Sequence, residues 1–378
     1  MTFYIILLIA VMIGMFVIDR AESPQTKKLM TLFFFIGLTL ISGTRFELGG
    51  SDYYVYRRGY DAVPVLWDIA DLESSVGSIR LVNLFEPGFL VFCSLVKTLG
   101  FSFYGFTLIE AVVWYVCMYV GLNRYVDNWG MIFLVFLYKL FFYNTFISLR
   151  QAITIALFMA AWRFIQDKKT IPYYLICFLA LTFHNGALIM FVVYPIMQLR
   201  LTKQRLMTVN VVCGCYYLLS LFGISIFGFI EKALQGLSGQ SALVYKIQVW
   251  LGASSGISMF HVFEYFLLMA LVIINYEKII ETDKNAEFIL KLFLILLPIF
   301  TILGENIVAT RFKDYFTITY GIILLYLCRI REGKLKLLVQ CGTICICAYG
   351  YIRYLLLFDQ GGLTPYTSYI IKGLSIFN

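Results

Sequence analysis

Charge is scarce in this chain. Only 14% of its 378 residues are Asp, Glu, Lys or Arg and 61% are hydrophobic, against about 25% and about 45–50% in soluble domains. A water-soluble globular domain is excluded, because apolar runs recur along the whole length and one core cannot bury them all. Histidine occurs only as His184 and His261, and no Cys-X-X-Cys pair exists, so no zinc site of ordinary spacing can be assembled. The nine cysteines lie almost all in apolar runs and read as small buried hydrophobes. No basic domain concentrates the net charge of +8. Its lysines and arginines are scattered through short loops, which argues against a nucleic-acid partner. No DXD motif stands in the long loops, where Asp68 and Asp71 are the closest aspartate pair, so a reaction without metal or cofactor is expected.

What is present is a succession of membrane-length runs. The first, residues 2–18, has no basic segment before it and no small-residue cleavage pattern after it, so a retained span is expected rather than a signal peptide. Further spans are expected near 29–44, 102–122, 130–148, 151–165, 171–183, 186–199, 206–227, 259–275, 288–304, 311–328 and 337–352. That makes about twelve transmembrane helices in an all-α polytopic fold, several of them short enough to need tilting or breaking. No repeat or linker divides the chain, so residues 1–378 form one expected membrane domain.

Orientation follows from the loops. Alternate loops hold Arg20, Lys27 and Lys28; Arg124; Arg163, Lys168 and Lys169; Arg200, Lys203 and Arg205; Lys278 and Lys284; and Arg329, Arg331, Lys334 and Lys336. Short, strongly basic loops belong on the cytoplasmic side, which puts both termini outside. The opposite set includes the long segments 45–101, 228–258 and 353–378, rich in tyrosine and paired glycines and expected to hold short amphipathic helices on the extracytoplasmic face.

Three arginines fall at span ends opposite the basic loops: Arg45, Arg150 and Arg311. By the same parity His184 joins them at the outer face. A charge in hydrocarbon costs about 2.5–3.5 kcal/mol on insertion scales, so such groups face the bundle interior and serve function. Guanidinium groups bind phosphate oxygens bidentately and keep their charge, which suits a diphosphate. The bland alternative is that each arginine snorkels to headgroups or pairs with an acid such as Glu305, Asp314 or Asp52. His184 precedes Asn185-Gly186, a break that lets its ring face a cavity and take a proton from an attacking hydroxyl. Asp52 is the second candidate base. Tyr53 and Tyr56 beside it offer ring faces and hydroxyls suited to sugars, although tyrosine also populates membrane interfaces.

At these residues the chain resembles the EpsG-like branch of the Wzy-type O-antigen and exopolysaccharide polymerases. The resemblance rests on GTRFELGGSDYYVY after span two, on SLRQAITIALFMAAWRFI, and on Phe183-His184-Asn185-Gly186-Ala187. Arg311 with Tyr315-Phe316 and the late Pro365-Tyr366 complete it. It implies a fold related to multispan glycosyltransferases with lipid-linked donors, in the bacterial inner membrane, active on the periplasmic face. It further implies transfer of a glycan from undecaprenyl diphosphate to a sugar hydroxyl of another lipid-linked repeat unit, with a chain-length regulator and a flippase as partners. Arg45, Arg150 and Arg311 then bind the diphosphate, His184 or Asp52 takes the proton, and Tyr53, Tyr56, Tyr315 and Tyr366 hold sugars. A flippase or transporter of lipid-linked or anionic glycans is the first rival, and a lipid-linked glycan ligase the second. A transporter calls for ionisable groups along the whole path, whereas those away from the outer end are few, mainly Lys139 and Lys291.

Overall fold

The computed structural model describes residues 1–73, 85–224, 226, 229, 259–304, 306 and 309–377. Nearly all of the expected loop 228–258 lies outside the described residues, as do residues 74–84 and Glu305. Among the described residues there is no strand, only two isolated antiparallel bridges, Arg45 with Ser368 and Phe101 with Phe377. The chain divides into two compact units, one of Met1–Tyr194 with Leu338–Asn378, the other of Pro195–Leu337.

In the first unit, α1 (Thr2–Arg20) is about 28 Å long at 1.5 Å per residue, which matches a hydrocarbon layer of about 30 Å. One face, Tyr4, Leu8, Val11, Met15 and Ile18, is buried, while Ile6, Ile9 and Ile13 stand exposed on the other. A helix that is apolar on every side is suited to lipid, not water. α2 (Pro24–Gly43) begins with proline in its first turn, where the missing N–H is no loss, and exposes Leu32, Phe33 and Ile36 in the same way. Two short helices follow, α3 (Gly50–Ala62) and α4 (Pro87–Thr98), then the long α5 (Phe103–Leu122). α6 (Trp129–Phe136) is capped by the Asn128 side chain and runs on through two π-helical turns, Leu137–Phe141 and Tyr143–Ile147. The chain breaks at Ser148 and restarts at once as α7 (Leu149–Gln166), followed by α8 (Thr170–Phe183) and α9 (Leu188–Gln198).

The second unit comprises α10 (Lys203–Leu221), α11 (Met259–Ile274), α12 (Tyr276–Thr282), α13 (Ala286–Thr301), α14 (Asp314–Thr317) and α15 (Thr319–Arg329). Helices α10, α11 and α15 pack on α13, whose Leu290, Phe293 and Leu297 are buried. Three polar pairs lie in this unit: Arg329 with Asp283 at 2.8 Å, Arg331 with the Asn275 side-chain amide oxygen at 2.6 Å, and Lys291 with Glu287 at 2.9 Å. The last helix, α16 (Gly333–Leu357), contributes its larger part to the first unit.

Among the described residues, α1, α2, α5 and α16 are long and apolar enough to cross a membrane, and α11 with α12, bent by 77°, adds a fifth if the pair is one span. The other expected crossings coincide with shorter or more charged helices such as α7 and α8, so length and composition support four or five spans and twelve remains a proposal.

One backbone contact locks the segment after α2 to the π-helical region. Gly49 has φ of 133°, and a Cβ there comes within 2.3 Å of the Phe146 carbonyl oxygen. Gly49→Ala is therefore expected to destabilise the protein by about 1–3 kcal/mol, through both backbone strain and the clash. A melting curve in detergent checks this; an unchanged midpoint shows that the contact does not constrain the fold.

Candidate functional site

Two gatherings of polar side chains lie in the first unit. The first is built by four separate stretches of chain. α3 turns Tyr53, Tyr56 and Tyr60 to one face, and they bury themselves with Phe85, Phe89, Phe103 and Phe106. α4 opens with Glu86 as its N-cap, and Gly88 lets it lie directly on α8. A Cβ at Gly88 meets the Thr182 hydroxyl at 2.1 Å. Glu86 is thereby held close to the end of α8, where His184 terminates the helix in extended conformation. The break at Ser148 places Arg150 in the first turn of α7.

Arg150 is the centre of this cluster. Its Nη1 donates to Glu86 Oε2, its guanidinium lies 5.2 Å from the centre of the Phe85 ring, and it lies beside the Tyr56 hydroxyl. Glu86 uses its other oxygen to accept the Asn185 N–H at 3.3 Å. The side chains of Arg150 and Glu86 are only 23% and 15% exposed, so water screens the pair weakly. Burial pushes the Tyr56 phenol up, with Arg150 pulling the other way. His184 Nδ1 accepts the Gly186 N–H at 2.9 Å. In the neutral ring that bond assigns the proton to Nε2, which makes Nε2 a donor. Asp52 is exposed in the first turn of α3, one turn before Tyr56 and on the same face.

The second gathering surrounds Arg45, whose guanidinium is buried, donates to the Ser42 carbonyl at 2.6 Å and lies 5.4 Å from the centre of the Phe146 ring. The C-terminal tail closes over it. Phe46 N–H bonds the Thr367 carbonyl at 2.9 Å, Tyr369 N–H bonds the Thr44 carbonyl at 3.0 Å, and the Tyr366 hydroxyl donates to the Ile41 carbonyl at 2.9 Å. From α5 the fully buried Glu110 supplies the nearest opposing charge. Neither Glu110 carboxylate oxygen has a protein hydrogen-bond partner among the described residues.

The first unit thus brings Arg150 and Tyr56 to Glu86, which also holds the Asn185 N–H next to His184, has Asp52 one turn before Tyr56, and sets Arg45 in a separate buried nest. Arg311 and Tyr315 belong to the second unit, Arg311 exposed on the turn Ala309–Lys313 and Tyr315 fully buried. The tyrosines expected to hold sugars are packed or engaged: Tyr53 meets Phe103 edge-on, Tyr56 stacks on Phe85, and Tyr366 stacks on Phe3 with ring centres 4.2 Å apart.

Glu86 and Glu110 are the site residues that sequence reasoning passed over. Glu110 carried a usable signal, a lone acid in the apolar run TLIEAVVWYV. Glu86 carried only the weak helix-start pattern of an acid followed by Pro87. Among the described residues no group of three or more His, Cys, Asp or Glu is placed to hold a metal ion.

Helices apolar on all sides and long enough to cross a bilayer define a membrane-embedded helical protein. The model of the EpsG family matches residues 28–368, and the chain belongs to that family. Membership fits a polysaccharide polymerase-type membrane protein. No curated protein and no solved structure matches the chain.

Proposed function

We propose that this protein extends a bacterial surface polysaccharide by moving a glycan from undecaprenyl diphosphate to a sugar hydroxyl of another lipid-linked repeat unit, on the periplasmic side of the inner membrane. The observation that carries the reading is the meeting of Arg150, Tyr56, Glu86 and the Asn185 N–H, which follows His184, from four stretches of chain, with the exposed Asp52 one helical turn before Tyr56.

The acceptor oxygen attacks the anomeric carbon, the bond to the diphosphate breaks, and negative charge grows on the leaving oxygen. Arg150 faces that charge with a fork of donors held in place by Tyr56 and Phe85, and preformed donors aimed at developing charge are where catalysis gains most. His184 is assigned to the same task through Nε2–H, since its Nδ1 is already occupied as an acceptor. The proton then falls to Asp52, the carboxylate open to solvent at the rim. Arg45, in its own buried nest of the same unit, is assigned to the diphosphate as a further cation.

Purified protein given a synthetic lipid-diphosphate repeat unit in detergent, with chelator, is expected to form a ladder of lengthening glycans. Asp52→Asn is expected to slow the ladder by about 10²–10⁴-fold. Absence of elongation by the native protein, with movement of the same lipid across liposome bilayers, overturns the reading in favour of a flippase.

A further inference from the structure

The first polar cluster holds an anion of its own. Glu86 places one carboxylate oxygen on the Arg150 guanidinium and the other on the Asn185 N–H, with the two oxygens spanning a side-chain cation and a backbone donor. A carboxylate is the smaller counterpart of a phosphoryl group, and both use paired oxygens on a guanidinium fork. Three features show that the arrangement is built. Gly88 removes the side chain that would hold α4 away from α8. The pair is largely shielded from water. Phe85, the neighbour of Glu86, lies against the same guanidinium.

We infer that Arg150 and the Asn185 N–H form a diphosphate subsite that Glu86 occupies internally, and that the substrate's diphosphate enters by displacing the Glu86 carboxylate. The inference rests on the reading of this cluster as a diphosphate site and names what regulates its occupancy. Displacement needs little motion, because Glu86 is an N-cap at the start of α4 and its side chain rotates without unwinding the helix. A doubly charged ligand outbids a single carboxylate for the same donors. While Glu86 is in place both donors stay paired, so the cation is not left bare in a poorly hydrated surrounding. Apparent affinity is reduced by the fraction of molecules in which the internal anion holds the subsite.

The test uses inorganic pyrophosphate as the probe on the full-length protein in detergent, with direct binding measured beside competition against ladder formation. Glu86→Gln keeps the shape but removes the competing charge, and it is expected to bind pyrophosphate about tenfold more tightly than the native protein. Glu86→Asp, which restores the anion one methylene shorter, is expected to return affinity toward the native value, and melting curves confirm that both variants are folded. A merely structural Glu86 predicts the opposite, since loss of its grip on Arg150 weakens pyrophosphate binding. Unchanged or weaker binding by a folded Glu86→Gln overturns this inference while leaving the diphosphate site standing. Failure of both the native protein and Glu86→Gln to bind pyrophosphate removes the site itself, and this inference with it.

Discussion

Arg150→Ala is expected to slow glycan-ladder formation by about 10²–10³-fold, the loss typical when one preformed donor to a developing anion is removed. Expression and melting temperature are expected to change far less, because Glu86 keeps its bond to the Asn185 N–H and retains some access to solvent. Arg150→Lys tests the geometry separately from the charge. Lysine keeps the positive charge but lacks the planar fork that reaches Glu86 and Tyr56 together, so it is expected to recover only a small part of the rate. Single-turnover rates with the lipid-diphosphate repeat unit provide the measurement. A rate within about threefold of the native enzyme in the alanine variant removes Arg150 from the chemistry.

The second large effect concerns stability and the Arg45 nest. Glu110→Leu leaves the buried Arg45 guanidinium without its nearest opposing charge, held mainly by the Ser42 carbonyl and the face of Phe146. Arg45 and Glu110 share no hydrogen bond or ion pair among the described residues, so the loss is expected to stay below the about 3–5 kcal/mol of breaking a direct buried pair, whereas replacing both groups with apolar ones is often neutral. The single variant is accordingly expected to melt earlier than the native protein, and Glu110→Leu combined with Arg45→Met to recover most of the loss. Equal stability of the single variant and the native protein in a detergent denaturation series contradicts the pairing. The double variant also separates fold from function, since it is expected to be folded yet impaired in diphosphate use.

Helix positions were legible because apolar runs bounded by charge leave little room for other assignments. The runs at 102–122 and 171–183 become Phe103–Leu122 and Thr170–Phe183, and the division at Arg150 becomes the break at Ser148. The π-helical turns were not legible, since the sequence around LYKLFFYNTFI differs in no periodic way from an ordinary buried helix. Arg45, Arg150 and His184 stood out for one reason: an ionisable group beside an apolar run is conspicuous. The same reasoning applied to Glu110, and attention to positive charge alone missed it. Glu86 lies in a loop of mixed charge, 64 residues from the arginine it meets, and only the folding of α4 onto α8 brings the two together. The tyrosines illustrate the reverse case. A spacing of three and four residues along α3 marks a buried face as readily as a sugar platform, and in this protein the rings of Tyr53, Tyr56 and Tyr60 enter the core.

The antiparallel pairing of Arg45 with Ser368 has a consequence for biogenesis. Thr44 and Ser368, which share a hydrogen bond across this seam, are separated by 324 positions. A ribosome completes the second helix early and then threads most of the protein into the bilayer before the stretch that seals it emerges. Completion of this sector waits until residue 368 has emerged, so a translation product interrupted before it is left with an open seam at that helix end.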